Sequence, residues 1–450
     1  MSEFSFSPAQ LRELAADVLR HAERCGASAC ETDVSESVGQ SVTVRKGEVE
    51  TIEFNRDKGI GVSVYLGQRR GHASTSDFTP AALRATVEAA VSIARFTAAD
   101  EAAGLPAPEL LATQAQGALD LDLYHPWNLS VEQAIEIARK SEAAAFAVSP
   151  LVSNSEGATV STHTAHFISA NSLGFVGGFP SSRHFISCIP IAAKGKDMQR
   201  DDWYSGWRDP ADLAAPEVIG DYAARRTLSR LGAKKLKTRQ CRVLFEAPLA
   251  TLLLGSFVHA VSGGSLYRKA SFLVDSLGQR IFPAWMNIEE RPHLKKGLAS
   301  SPFDDDGVAT RDRTVVAGGV LQGYFLSTYT ARKLGMATTG NAGGSHNLSV
   351  APSPDAPADF AGLLKAFGTG LLVTELLGHG INYVTGDYSR GAAGYWVENG
   401  EIAYPVHEIT IAGNLREMFA GIEAVGRDTV TRGSRSVGSI VVNRMTVAGN

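Results

Sequence analysis

Tyr395-Trp396-Val397-Glu398-Asn399-Gly400-Glu401-Ile402-Ala403-Tyr404 carries the chain's strongest hairpin signal. Two β-favouring runs flank an Asn-Gly pair, the residue types that tolerate the positive φ angles of a type I′ turn. Val315-Val316 and Val320-Leu321 flank Ala317-Gly318-Gly319 in the same way. Such punctuation dominates from Cys241 onward, so residues 235–450 are expected to form a mainly antiparallel β domain, barrel- or sandwich-like. Its expected helical pieces are Ala247 to Ser262, Thr328 to Leu334 and Ala358 to Phe367.

Upstream the pattern changes. Ser7-Pro8-Ala9-Gln10 reads as a capping box with proline at the first helical position, and Leu11, Leu14, Ala15, Val18, Leu19 and Ala22 follow at helical spacing. From Ser41 the period is two, with turns expected at Lys46-Gly47 and Lys58-Gly59, which predicts a meander. Thr79-Pro80 starts a second helix. After an Ala/Pro/acid-rich connector, 97–120, the plan recurs: Ser130 to Gln133 forms another capping box, a helix runs to about Ala147, and β segments surround Asn171 to Gly174. The fold class is therefore α+β: an N-terminal domain, 1–234, of two helix-plus-meander units (1–96 and 121–234), with amphipathic helices on antiparallel sheets, followed by the β-rich domain.

Composition narrows the function. A net charge of −4 over 450 residues supplies no general cationic field for nucleic acid or anionic lipid. Eight Lys/Arg fall between Arg225 and Arg242 without an acid, but no aromatic residue interleaves with them, and the expectation is a solvated helix face and linker. No apolar run reaches membrane-spanning length, and Met1 to Pro8 lacks the layout of a secretory signal. Four irregularly spaced cysteines, Cys25, Cys30, Cys188 and Cys241, suit buried thiols in a reducing cytoplasm.

No intact catalytic motif is present. The single His-Glu pair, His407-Glu408, has no second histidine where a zinc helix needs one, and it falls in the expected return strand of the 398–401 hairpin. His163 and His166, three apart in a strand, point to opposite faces. Serine-elbow, phosphate-loop and dinucleotide glycine patterns are each incomplete. Asp304-Asp305-Asp306-Gly307 lacks the calcium-loop spacing and reads as a surface turn. Thr338 to Gly344 and Thr385 to Gly391 place small residues beside polar ones, which permits close backbone approach of a peptide.

These last segments resemble the TldD/PmbA family of intracellular metallopeptidases, also labelled modulators of DNA gyrase, and are most similar to its PmbA (TldE) branch. The resemblance rests on Asn171-Ser172-x-Gly174, Ser265 to Lys269, Pro302-Phe303-Asp304, Thr339 to Gly343, Gly386 to Gly391, Glu398 to Ile402 and Met445 to Gly449. It implies two domains and an enclosed channel. In the TldD branch it implies an HExxxH helix whose zinc site is completed by a C-terminal cysteine. Registered on Gly264 to Lys269, the two histidine positions fall on Gly255 and Ala260 and the glutamate on Ser256, while His259 is one place out of register. The cysteine belongs near Val425 to Ser434, yet none follows Cys241. The resemblance thus implies a noncatalytic subunit with no catalytic residue, metal or cofactor of its own. A TldD-type partner supplies zinc, the substrate is an unfolded peptide, and the isolated chain could form a homodimer. Asn341, Asp387, Ser389, Arg390 and Arg268 are the candidate peptide contacts. The competing readings are an autonomous hydrolase around Asp387, Ser389 and His407, and a nonenzymatic binding protein acting on DNA or a topoisomerase complex.

Overall fold

The computed structural model describes residues 4–449; Met1 to Glu3, the start of the segment read above against a secretory signal, and Asn450 lie outside them. Ser7 caps α1 (Pro8–Arg24) reciprocally with Gln10, as the capping box requires. Leu11, Ala15, Val18 and Ala22 bury the apolar stripe of α1 in a core shared with residues of β1 (Ala29–Arg45) and β2 (Glu48–Leu66). Lys46 and Gly47 join these strands at φ 52° and 77°, the turn expected from sequence.

The second expected turn, at Lys58-Gly59, does not form. β2 runs unbroken for 19 residues, with Lys58 opposite Glu36 and Gly59 opposite Ser35. Residues 48–58 extend beyond the partner strand β3 (Arg69–Thr75) and are exposed on both faces, so no core imposes an apolar alternation that would mark them as strand. Thr79 caps α2 (Pro80–Phe96), which lies on β3. Gly71 makes that approach possible: a β-carbon there would stand 2.0 Å from the Ala90 carbonyl oxygen.

The second unit comprises α3 (Val131–Val148), β4 (Val152–Asn171), β5 (Pro180–Lys194), β6 (Asp197–Arg200), β7 (Trp203–Trp207) and α4 (Pro216–Ser229). β1 pairs with β4 from Glu31–Asn171 to Val44–Ala158, fusing both units into one antiparallel sheet of order β3-β2-β1-β4-β5-β6, with β7 also on β5. His163 and His166 on β4 do face opposite ways, one exposed and one buried against Glu36.

The C-terminal region contains a closed barrel. β8 (Arg239–Phe245) is followed by α5 (Ala247–Ala260), and α6 (Phe360–Phe367) precedes β9 (Gly370–Leu377), β10 (Asp387–Glu398), β11 (Glu401–Asn414) and β12 (Ile440–Ala448). The strand order is β9-β8-β12-β11-β10, and β10 returns to pair with β9, which removes the sheet edges. Asn399 and Gly400 adopt φ 53° and 82° at the β10–β11 turn, as their residue types predict. Phe245, Phe257, Leu273, Met286 and Phe419 lie in the main core, beside a smaller sheet that includes the hairpin strands Val430–Arg432 and Arg435–Val437.

The basic stretch is not simply a solvated face. Arg226 makes a paired contact with Glu246 at 2.6 and 3.1 Å, Arg230 reaches Glu375, and Asp201 lies 3.4 and 3.5 Å from the two arginines. These charges tie α4 to the barrel. Nor is Asp304 at the surface. It is 3% exposed, and its carboxylate accepts from the backbone N–H groups of Asp306, Val308 and Ala342. The turn is internal because one aspartate organises two converging loops. No helix among the described residues is long and apolar enough to cross a membrane.

Candidate functional site

α5 begins at Glu246-Ala247-Pro248 and buries Ala250, Leu253, Leu254, Phe257 and Ala260 in the barrel core. That leaves Leu252, Gly255 and His259 on one side, three and four residues apart and therefore on a common helix face. They line a cavity of about 530 Å³, whose other walls include His379, Tyr383, Arg390 and Arg435.

Each wall residue has a structural origin. The Val430–Val437 hairpin packs on α5 and carries Arg435, whose guanidinium lies over Gly255. A β-carbon at Gly255 would stand 2.8 Å from Arg435 Nη1 and 2.9 Å from Cζ. β10 presents Arg390 beside Tyr388, on the face opposite Asp387 and Ser389. His259 packs on Tyr383 at 4.0 Å between ring centroids. Burial, with the nearby Arg268 charge, holds the His259 imidazole below its ordinary pKa, so it is neutral at neutral pH. Burial likewise lowers the Arg435 pKa, opposed by Tyr383.

His259 and Ala260, adjacent in sequence, point in different directions. An α-helix places residue 259 on the same face as 255 but turns residue 260 by about 140°. Ala260 is fully buried, whereas His259 is on the cavity wall. Ser256 also borders the cavity, with its hydroxyl donating to the Leu252 carbonyl at 3.3 Å. Arg435 immediately follows the segment, Val425 to Ser434, in which the resemblance places a metal-binding cysteine. Sequence reading missed Arg435, His379 and Tyr383; the absent cysteine was the one pointer to the first, and nothing local marked the other two.

Zinc does not fit this donor set. Gly255 and Ala260 offer no side-chain donor, a guanidinium occupies the space beside Gly255, and among the described residues no carboxylate lines the cavity. Among the described residues, no group of three or more His, Cys, Asp or Glu side chains is arranged to hold a metal ion.

The candidate peptide contacts do not converge. Arg390 faces the cavity and Arg268 lies near enough to act on His259. Asp387 and Ser389 are exposed on the other face of β10, where the Asp387 carboxylate accepts from Thr385 Oγ1 at 2.6 Å. Asn341 is 5% exposed and already occupied: its amide donates to Glu290 and Gly344, and its oxygen accepts from Arg313 and Thr339. It therefore braces the glycine loop. The Asp387–Ser389–His407 arrangement does not assemble either. Ser389 pairs with Ala412, five residues along β11 from His407, a separation on the order of 15 Å. Glu408 instead pairs with Lys235 at 2.8 Å on the surface.

Comparison with known proteins agrees with this architecture. Family models described as PmbA/TldA metallopeptidase domain 1, central domain and C-terminal domain match residues 30–94, 124–231 and 238–449. Metalloprotease PmbA of Escherichia coli O157:H7 is 48% identical, covering 93% of this chain and 92% of that protein. A Metalloprotease TldD homolog of Haemophilus influenzae is 23% identical, covering 86% and 83%. A crystal structure from Bacteroides thetaiotaomicron, described as a modulator of DNA gyrase, superposes with a TM-score of 0.91 at 26% identity over 99% of this chain and 100% of that one.

Proposed function

The chain belongs to the PmbA/TldD metallopeptidase family, and from that premise we propose that it is the PmbA/TldE-type, noncatalytic subunit of a peptidase complex in the cytoplasm. A TldD-type chain supplies the zinc and performs hydrolysis; this chain helps to hold an unfolded peptide. The observation that carries the reading is the content of the α5 site. Gly255, Ser256 and Ala260 stand at the expected ligand and base positions, and Arg435 lies against the first of them. A cation fixed beside Gly255 opposes a second cation there.

Arg390 and Arg268 are the peptide contacts this reading retains near the cavity, with Asp387 and Ser389 contributing to a separate exposed strand face. Four unpaired thiols, two of them fully buried, suit a reducing compartment. Arg226, Arg230 and Arg242 are engaged by carboxylates, which disfavours the alternative of a free basic surface for DNA.

The test is metal analysis and peptidase assay of the purified chain, alone and after mixing with a TldD-type chain. Cleavage of an unfolded peptide should require both chains, with zinc in the added one. Robust zinc-dependent cleavage by this chain alone would overturn the assignment.

A further inference from the structure

The deeply set arginines of this protein usually have an oxygen partner. Arg226 meets Glu246, Arg230 meets Glu375, Arg313 meets Glu290 at 2.5 Å, and Arg208 donates to the carbonyls of Gly297, Leu298 and Ser182. Arg390, which has the Tyr388 hydroxyl as a hydrogen-bond partner, and Arg435 differ in meeting no carboxylate among the described residues. Among the described residues neither has an ion-pair partner, and the Nε of each is buried without a hydrogen-bond partner. An unpaired N–H removed from water costs free energy that an incoming acceptor would recover.

Both side chains border the 530 Å³ cavity, whose wall among the described residues contains no Asp or Glu. Its remaining polar side chains, Ser256, Ser262, His259, His379 and Tyr383, can each donate a hydrogen bond. Arg268 adds positive potential from beside His259. Gly255 contributes by absence, because the bare helix backbone leaves room for the Arg435 guanidinium.

We propose that this cavity is a carboxylate-binding site, in which Arg435 and Arg390 receive a carboxylate of a bound peptide. The planar forks of two guanidiniums match that group and reject a divalent cation. The proposal deepens the peptide-holding role above and rests on it for the identity of the ligand. A chain-terminal carboxylate and an acidic side chain share the required chemistry, so the experiment separates them.

The full chain is titrated by fluorescence anisotropy against three labelled, otherwise neutral Gly/Ser/Ala peptides. One ends in a free acid, one is amidated, and one is amidated but carries an internal glutamate. At least one acid-bearing peptide should bind about tenfold or more tightly than the neutral amide, and which one does so identifies the source. Arg435→Gln and Arg390→Gln should each remove that preference, while Arg225→Gln, at an exposed pair with Asp221, should leave it intact. Arg435→Lys should retain only part of it. Equal binding of all three peptides by the unaltered chain overturns the proposal even if a glutamine variant fails to fold. So does an undiminished preference in folded Arg435→Gln and Arg390→Gln proteins. The readout needs no second subunit: absence of an acid preference in the unaltered chain, with intact two-chain peptidase activity, rejects this site alone, whereas zinc-dependent peptidase activity in the single chain rejects the subunit assignment.

Discussion

The guanidinium of Arg435 lies so close over Gly255 that a β-carbon at residue 255 would stand 2.8 Å from Nη1. Installing metal ligands on α5 therefore requires more than restoring a motif. The triple variant Gly255→His/Ser256→Glu/Ala260→His should purify without stoichiometric zinc, because residue 260 faces the core and Arg435 repels a cation. Metal analysis after dialysis is the check; one zinc per chain with Arg435 intact would refute this explanation of the site.

Gly255 and Gly220 should respond differently to alanine. At 255 the obstructing group is the far end of the Arg435 side chain rather than backbone, and alanine gains about 1 kcal/mol of helix propensity, so stability should remain within about 1 kcal/mol. At 220 a β-carbon would stand 1.8 Å from the Ser141 carbonyl oxygen, where α4 meets α3 backbone to backbone. Gly220→Ala should cost about 2 kcal/mol or more, visible as a lowered thermal midpoint.

Arg226→Ala should leave Glu246 as an uncompensated, deeply set carboxylate and destabilise by about 3 kcal/mol. Replacing both, as Arg226→Met/Glu246→Leu, should recover much of that loss. Urea titrations of the three proteins test the relationship; a double variant no better than the single one would assign the loss to packing.

Burial, aided by the Asp306 charge, pushes the Asp304 pKa up to about 7. The folded chain then holds a proton that the unfolded chain releases near pH 4, so this residue makes stability fall as pH rises from about 4 to about 7. The slope it contributes is at most about 1.4 kcal/mol per pH unit. Asp304→Asn should flatten the stability profile across that interval. An unchanged slope would mean that its three backbone donors keep the carboxylate ionised.

Local chemistry made much of the architecture legible. The capping serines at 7 and 130 and the Asn399-Gly400 turn use interactions within a few residues, and each forms as expected. The open ribbon at 48–58 was harder to read, because exposed strands need not alternate. Asp304 and Asn341 misled for another reason: their small, polar surroundings resemble a surface loop, while their partners come from distant segments. The candidate site was legible only in part. Register against the resemblance pointed to Gly255 and Ser256, but Arg435 lies over Gly255 from a hairpin some 180 residues away in the chain.

The seam of the barrel also imposes an order on synthesis. Phe245 pairs with Ile440 and Arg239 with Val447, so the first strand of the barrel waits for the last. The sheet spanning β1 to β7 is complete by Trp207. During translation it can form early, while β8 and the unclosed C-terminal strands remain exposed until the chain is nearly finished. A ribosome stalled before β12 would thus present a folded amino-terminal platform with a sticky, unclosed tail, the natural client of a holding chaperone.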